Sequence, residues 1–562
     1  MPKKEDVLVE LLFSKGLVTP SQIEKAKEES KKTGFSLERS LEKMGFITEE
    51  DITGIVAESM NVLAVNVDDY LIDSEVTKLV PEEAARRHKV MPLFKIGNTL
   101  TLAMVNPKDI MAIDEIRMKS KVSLVEPVYS AEKSIIKAID QYYGVSDSVE
   151  DLIKSIDAAK IPLEATDEAE LKILAKQAEQ APVVRLVNML IMRAVKEKAS
   201  DIHIEPEDDK VRVRFRIDGI LHEISTSPKH LHSVIASRIK ILSKIDIAES
   251  RKPQDGRIQL KTQNKKLDLR VSTFPTIHGE NIVMRILDRS SVLLDMKDLG
   301  LGEREHEEFV KLIKYPYGFF LVCGPTGSGK TTTLYSALTA INSMKLNIIT
   351  VEDPVEYEIP LIRQTQVNPK AGLTFATGLR AILRQDPDVI MVGEVRDKET
   401  ADIAVQASLT GHLVFSTLHT NDAPNAFVRL IDLGVEPFLI STSVIGIMAQ
   451  RLVRIICKEC KEPYRPPVEL LKELGLDEKE TFYRGKGCKV CKNTGYTGRI
   501  GIFELLTMTD EMKRCLISRA SSIEIKKIAN KTGFRTLRED GFEKARKGIT
   551  SLEEVMRVTE KM

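Results

Sequence analysis

Gly318-Phe-Phe-Leu-Val-Cys-Gly-Pro-Thr-Gly-Ser-Gly-Lys-Thr-Thr-Thr-Leu334 decides how this chain is read. Phe319 to Cys323 is an unbroken apolar run of strand length, which reads as a buried strand. It passes directly into Gly324-Pro325-Thr326-Gly327-Ser328-Gly329-Lys330-Thr331, which satisfies the pattern G-x-x-x-x-G-K-[ST]. Gly324, Gly327 and Gly329 let the backbone turn tightly enough for its N–H groups to face an anion. Pro325, Thr326, Ser328 and Thr332 complete the cradle. Lys330 supplies a cation to the β- and γ-phosphates, and the Thr331 hydroxyl suits Mg²⁺. The helix expected from Thr331 onward adds its positive N-terminus. A glycine-rich turn that binds nothing would need neither the lysine nor the threonine.

Beyond the loop, strands alternate with helices. That order implies a mostly parallel sheet with helices on both faces, whose ligands gather at the carboxyl ends of the strands. Asn347 to Val351 leads to Glu352-Asp-Pro-Val-Glu356, and Val389 to Val392 leads to Gly393-Glu394-Val-Arg-Asp397. His412 to Ser416 leads to Thr417-Leu-His419-Thr-Asn-Asp422. One acid after a strand usually caps a helix. Three strand ends carrying acids or imidazole beside a phosphate loop point to a nucleotide site.

Cys457-Lys-Glu-Cys460 and Cys488-Lys-Val-Cys491 form two C-x-x-C pairs. Four thiolates so spaced suit tetrahedral Zn²⁺ with a closed shell, a structural rather than catalytic site. The intervening residues 461–487 exceed the usual span of about 15–20, so a helix over Pro467 to Leu476 is expected to loop out. Cys323 and Cys515 read as packing residues.

Toward the N-terminus, Lys15-Gly-Leu-Val-Thr19-Pro-Ser-Gln22-Ile23 recurs as Met44-Gly-Phe-Ile-Thr48-Glu-Glu-Asp51-Ile52. Each glycine ends a helix and each threonine caps the next. Residues 1–60 are therefore a helical module. Residues 61–145 mix strands (Thr99 to Val105, Val122 to Val128) with helices, and the polar, acidic stretch 146–175 reads as a linker. Residues 176–289 open with an amphipathic helix from Ala181 and continue as period-two strands. Arg212, Arg214, Arg216, Arg270 and Arg285 recur on those strands and suggest an anion-facing surface. Residues 290–562 hold the phosphate loop.

Charges balance at 83 basic and 83 acidic residues, which argues against a DNA or RNA track and so against nucleic acid as a partner. No apolar run approaches a membrane span, and Met1-Pro-Lys-Lys-Glu-Asp6 lacks the apolar core of a signal peptide. A cytoplasmic protein that meets the membrane peripherally, through partners, is expected.

Gly324 to Thr331, Glu352 to Glu356, Gly393 to Asp397 and Thr410 to His419 resemble the Walker A, Asp, Walker B and His boxes of secretion-superfamily ATPases. Ala181 to Asn188 and Ser200-Asp-Ile-His-Ile-Glu-Pro206 resemble that family too. Within it, the PilB-like type IV pilus assembly (extension) ATPases match best, with the type II secretion ATPases close behind. The resemblance implies an α/β fold: a RecA-like P-loop ATPase domain preceded by a smaller PAS-like α/β domain and N-terminal regulatory domains. It implies a homo-hexameric motor, with each nucleotide between the two larger domains and a membrane platform protein as partner. An accessory regulator is a second expected partner. A nucleic-acid translocase and a nucleotide-sensing scaffold are the competing classes.

By position in those boxes, Glu394 reaches Mg²⁺ through water and Glu356 orients the attacking water, with Glu352 as runner-up. His412 and His419 are candidates to sense the γ-phosphate. Arg270 and Arg285 are candidates to supply it with charge, and Arg451 and Arg454 to contact nucleotide. The N-terminal repeat resembles modules that bind cyclic di-GMP through an Arg-Leu-Gly run. This chain has Val7-Leu-Val9 and Ser36-Leu-Glu38 there, so a docking role is favoured over dinucleotide binding.

Overall fold

The computed structural model describes residues 9–143, 156 and 168–559, except 10, 14, 34–36, 263–264 and 289–294. Most of the expected linker, the boundary near residue 290, and Val7, Leu8 and Ser36 lie outside the described residues. The chain divides into two compact units, Met1–Ser290 and Ser291–Met562. Among the described residues no helix is long and apolar enough to cross a membrane.

In the first unit the internal repeat is visible as duplicated geometry. Gly16 and Gly45 both adopt left-handed φ, at 66° and 69°. Thr19 and Thr48 then open the helices Pro20–Thr33 and Glu49–Met60, each trading hydrogen bonds with Gln22 or Asp51 three residues on. A second core follows around β1 (Val90–Ile96), β2 (Thr99–Met104) and β3 (Leu124–Tyr129).

The rest of this unit is a six-stranded antiparallel sheet. It comprises β4 (Asp201–Pro206), β5 (Lys210–Ile217), β6 (Ile220–Pro228), β7 (Gln254–Thr262), β8 (Lys265–Thr276) and β9 (Gly279–Asp288). Their order is β6-β5-β4-β9-β8-β7. Period two sends Val211, Val213 and Phe215 into a core shared with the helices Ala181–Lys196 and His232–Ser243. The helix Glu168–Ala178 packs Leu174 and Ala178 into the same core, ahead of the boundary expected at 176.

The opposite face carries the arginines, and here the expected anion-facing surface is corrected. Arg257, Arg270, Arg285, Asp201 and Arg216 align in one row of register across five strands. Arg285 pairs with Asp201 at 3.0 Å and Arg216 with the same carboxylate at 3.5 Å. Arg214 pairs with Glu205 at 2.6 Å, and Arg212 with Glu207 and Glu223 at 2.6 and 2.7 Å. β4 supplies Asp201 and Glu205 on the same face, so the result is an ionic lattice and not a bare cationic surface.

In the second unit seven strands form one sheet: β10 (Gly318–Cys323), β11 (Ile348–Glu352), β12 (Arg363–Gln366), β13 (Val389–Val392), β14 (Leu413–Leu418), β15 (Val444–Ile456) and β18 (Tyr496–Thr507). A short pair, β16 (Lys461–Tyr464) and β17 (Phe482–Gly485), lies between the last two in sequence. The sheet order is β12-β11-β13-β14-β10-β15-β18, parallel throughout except the last pair.

Two cores explain why these strands read as continuous apolar runs. Phe319, Leu321 and Cys323 of β10 enter one, with the helices Phe375–Ile382, Lys398–Leu409 and Ala423–Asp432. Phe320 and Val322 enter the other, with the helices Glu303–Leu312 and Lys330–Ile341. A strand covered on both faces has no solvent side to alternate with. This is an α/β fold with a mostly parallel, RecA-like sheet.

Candidate nucleotide site

The phosphate loop leaves the carboxyl end of β10, the strand between β14 and β15. Gly324, Gly327 and Gly329 all take φ in the left-handed region, at 147°, 78° and 91°. At Gly324 there is also no room for a side chain: a Cβ would lie 2.5 Å from the Gln450 carbonyl oxygen and 2.6 Å from Ser328 Oγ. Gly329 caps the helix Lys330–Ile341, so the axis of that helix points at the loop.

Lys330 is 9% exposed, and its Nζ donates to the carbonyls of Gly324 and Pro325, at 2.8 and 3.1 Å. Burial lowers its pKa, opposed in part by Cys323 and Glu394. Among the described residues no carboxylate pairs with it, and the buried Ser328 Oγ has no hydrogen-bond partner. A buried cation held by loop carbonyls, a buried hydroxyl without a partner and a helix N-terminus together fit a bound triphosphate. Thr326, Gly327 and Thr331 stand exposed at the mouth, with Pro325, Gly329 and Thr332 half-buried behind them. That leaves the Thr331 hydroxyl accessible to a magnesium ion.

The neighbouring parallel strands end on the same rim. Two residues past β13, Glu394 is mostly buried and pairs with Arg396 and, at 3.3 Å, with His419 Nε2. His419 itself follows directly after β14. Glu352 is the last residue of β11 and is 3% exposed. Burial raises its pKa, against the hydrogen bonds from Thr350, Tyr335 and Gln364. Glu356 lies four residues beyond, half-buried. Arg451, on β15, reaches Asn421 Oδ1 at 3.0 Å and lies near enough to Lys330 to act on its charge.

Two expected members of the site are elsewhere. His412 precedes β14, bonds to the Ala407 carbonyl at 2.9 Å, and accepts the amide of Gly318 at the start of β10. The six residues of β14 put about 20 Å between His412 and His419, so only His419 is at the carboxyl rim. Arg454 pairs with Glu554 at 2.6 Å and stacks over the Tyr496 ring at 4.0 Å, on the way toward the C-terminal helices. It is engaged there and not at the loop. Arg270 and Arg285 belong to the sheet of the first unit, facing each other in register.

Sequence reasoning missed Tyr335 and Gln364, whose side chains hold Glu352, and Gln450, which accepts from the buried Thr333 hydroxyl at 2.7 Å. A large polar ring five residues after the lysine, on a helix of otherwise small and aliphatic residues, was the available signal for Tyr335.

Away from the loop, the four cysteine sulfurs of residues 457, 460, 488 and 491 lie within 4.8 Å of one another. Cys457–Cys488 and Cys460–Cys491 are 3.8 Å apart and Cys488–Cys491 3.6 Å. Zinc–sulfur bonds of about 2.3 Å in a tetrahedron require S···S edges of about 3.8 Å. The donor set therefore fits zinc. Backbone amides of Gly487, Cys488 and Gly495 donate to these sulfurs at 3.1 to 3.3 Å, as thiolate ligands require. The expected intervening helix is shorter than predicted, Val468–Glu473.

A family model described as "Type II/IV secretion system protein" matches residues 176–557. A model of the MshEN domain matches residues 60–149. The departures from the Arg-Leu-Gly run at residues 7–9 and 36–38 lie in the helical repeat, outside this match. The type IV pilus assembly ATPase PilB of Myxococcus xanthus is 44% identical over 98% of both chains. The type II secretion system protein E of Xanthomonas campestris is 42% identical over 99% of both. In fold, the ATPase DotB of Yersinia pseudotuberculosis superposes with a TM-score of 0.51, at 22% identity over 71% of this chain and 96% of that one. The chain belongs to the type II/IV secretion system family and is a P-loop ATPase.

Proposed function

We propose that this chain is the subunit of a homo-hexameric cytoplasmic motor that hydrolyses ATP to drive type IV pilus assembly through a platform protein of the inner membrane. The observation that carries the reading is the common rim of the neighbouring strands β11, β13, β14 and β10, where Glu352, Glu394 and His419 stand at or just past strand ends, beside the loop that leads from β10 to Lys330. Full-length similarity to the Myxococcus PilB supports the pilus assignment. Near-equal similarity to the Xanthomonas protein E favours type II secretion as a second reading.

Phosphoryl transfer to water is loose and charge-spread, so the protein's part is positioning and electrostatics. A magnesium ion held by Thr331 and Glu394 would supply charge neutralisation to the phosphates. The loop amides and Lys330 hold the triphosphate, Thr331 offers its hydroxyl to the ion, and Glu394 reaches it through water. Glu356 orients the attacking water and takes up its proton. His419, paired with Glu394, senses the γ-phosphate. The four cysteines hold a structural zinc. The N-terminal domains dock the platform protein or a regulator.

Steady-state ATP turnover by the full chain tests the chemistry. Glu356→Gln lowers kcat by about 10²- to 10⁴-fold while nucleotide binding survives, the range for a lost general base. A variant that hydrolyses at the wild-type rate refutes the assignment. Co-purification of the full chain with platform proteins of each system separates the two motors.

A further inference from the structure

We propose that Tyr335 is a positioning residue for hydrolysis: its hydroxyl ties the helix that carries Lys330 and Thr331 to the segment that carries Glu356. The inference rests on the reading of Glu356 above, and adds to it how that acid is placed.

Tyr335 is wholly buried on the helix Lys330–Ile341, five residues past the loop lysine. Its ring packs edge-on against Tyr357, with centroids 4.6 Å apart. The hydroxyl donates to Glu352 Oε2 and accepts from the Glu356 amide and from Gln364 Nε2, both at 3.3 Å. A phenol has one donor and two acceptor positions, so all are used. The second Glu352 oxygen accepts from Thr350 Oγ1 at 2.6 Å and from Gln364 Nε2 at 3.2 Å. Gln364, on β12, also accepts the Ile359 amide at 2.7 Å, and its two N–H groups are shared among Tyr335, Glu352 and the Tyr357 carbonyl, the last at 3.2 Å.

The segment from Glu352 to Ile359 is thus clamped at its start, middle and end, and Tyr335 joins that clamp to the helix of the phosphate loop. Any displacement of the helix on nucleotide binding moves the Glu356 amide with it. Glu352 is engaged from both of its oxygens inside the clamp, which makes it a second positioning residue. A phenylalanine would fill the same volume as Tyr335. What the hydroxyl adds is direction.

The test uses the full chain with Tyr335→Phe, Glu356→Gln and the double variant. ATP turnover and affinity for a fluorescent ATP analogue with magnesium are measured for each. Tyr335→Phe lowers kcat about 10- to 100-fold, the effect of a misplaced reacting group. The affinity stays within about twofold, because the loop itself is untouched. In the Glu356→Gln background the tyrosine substitution changes the residual rate by less than about twofold, because the two act as one unit. An unchanged kcat, an equal loss of binding and turnover, or the same fold-loss in both backgrounds overturns the proposal. Wild-type turnover by Glu356→Gln alone instead overturns the reading of Glu356. Should Tyr335→Phe fail to fold, Gln364→Met opens the clamp from the sheet edge. It gives the same split between kcat and affinity, and an unchanged kcat there refutes the clamp.

Discussion

Replacing Cys491 by serine tests whether the cysteine cluster holds up the C-terminal part of the ATPase unit. Cys491 is one of the two buried sulfurs and receives amides from Cys488 and Gly495. The cluster closes the base of the insert that runs from the end of β15 to the start of β18. The Cys457 amide bonds the Gly495 carbonyl at 2.9 Å and the Lys486 amide bonds the Cys460 carbonyl at 3.0 Å. Above this base, Phe482 and Leu471, 0% and 1% exposed, pack with Phe542, Ala545, Leu552 and Val555 of the last two helices. Without the metal the base loses its cross-link and is left to backbone hydrogen bonds, so that it opens and those two side chains lose their cover. At about 1.5–3 kcal/mol for each fully buried side chain, the loss is about 3–6 kcal/mol. At about 2–4 °C per kcal/mol, that lowers Tm on the order of 10 °C. Metal analysis is expected to find one zinc per chain in the parent and none in Cys491→Ser, with calorimetry reading the shift. A serine variant that keeps its zinc, or a zinc-free chain that melts where the parent does, refutes the reasoning.

Two further outcomes follow from the same unit. Glu504 is buried and accepts the amides of Ala423 and Leu537 at 2.8 and 3.2 Å. Burial dominates and pushes its pKa up from 4.5 to about 7. Because the folded state then binds the proton more tightly, this carboxyl favours folding most below about pH 4.5. Its contribution falls as pH rises to about 7, by at most about 3 kcal/mol. Urea unfolding of Glu504→Gln across that window should lack this slope; a slope equal to the parent's sinks the assignment. Gly324→Ala places a methyl against the Gln450 carbonyl and Ser328 at a φ that disfavours side chains. Nucleotide affinity should fall at least about 10-fold. Unchanged affinity in a fluorescence titration would show that the loop does not need that approach.

What the sequence makes legible follows from which contacts are local. Val389 to Val392 and Phe319 to Cys323 announce themselves because a parallel strand buried on both faces is apolar at every position. Motif residues at the ends of such strands inherit a location from the strand rule, and so Glu394 and His419 meet. His412 stands before the same apolar run as His419 stands after. The strand between them carries the two imidazoles to its opposite ends, and only the carboxyl end faces the phosphate loop. The arginines of β5 looked like a cationic face because their partners come from other places: Asp201 and Glu205 on β4, Glu207 in the turn and Glu223 on β6. The same limit hides Arg454, whose partner Glu554 is 100 residues away. It hides the Tyr335 clamp as well, built from a helix, two strands and a loop. Motifs name the groups that touch the phosphates, whereas the groups that hold those groups still are chosen by three-dimensional packing. If Tyr335 governs where Glu356 stands, then the acids of this family cannot be ranked by motif position alone. Glu352 and Glu356 share one box and nearly one address, yet they differ in depth: Glu352 is bound on both oxygens inside a buried network, whereas Glu356 stands four residues further on, half-buried, with its amide on the Tyr335 hydroxyl.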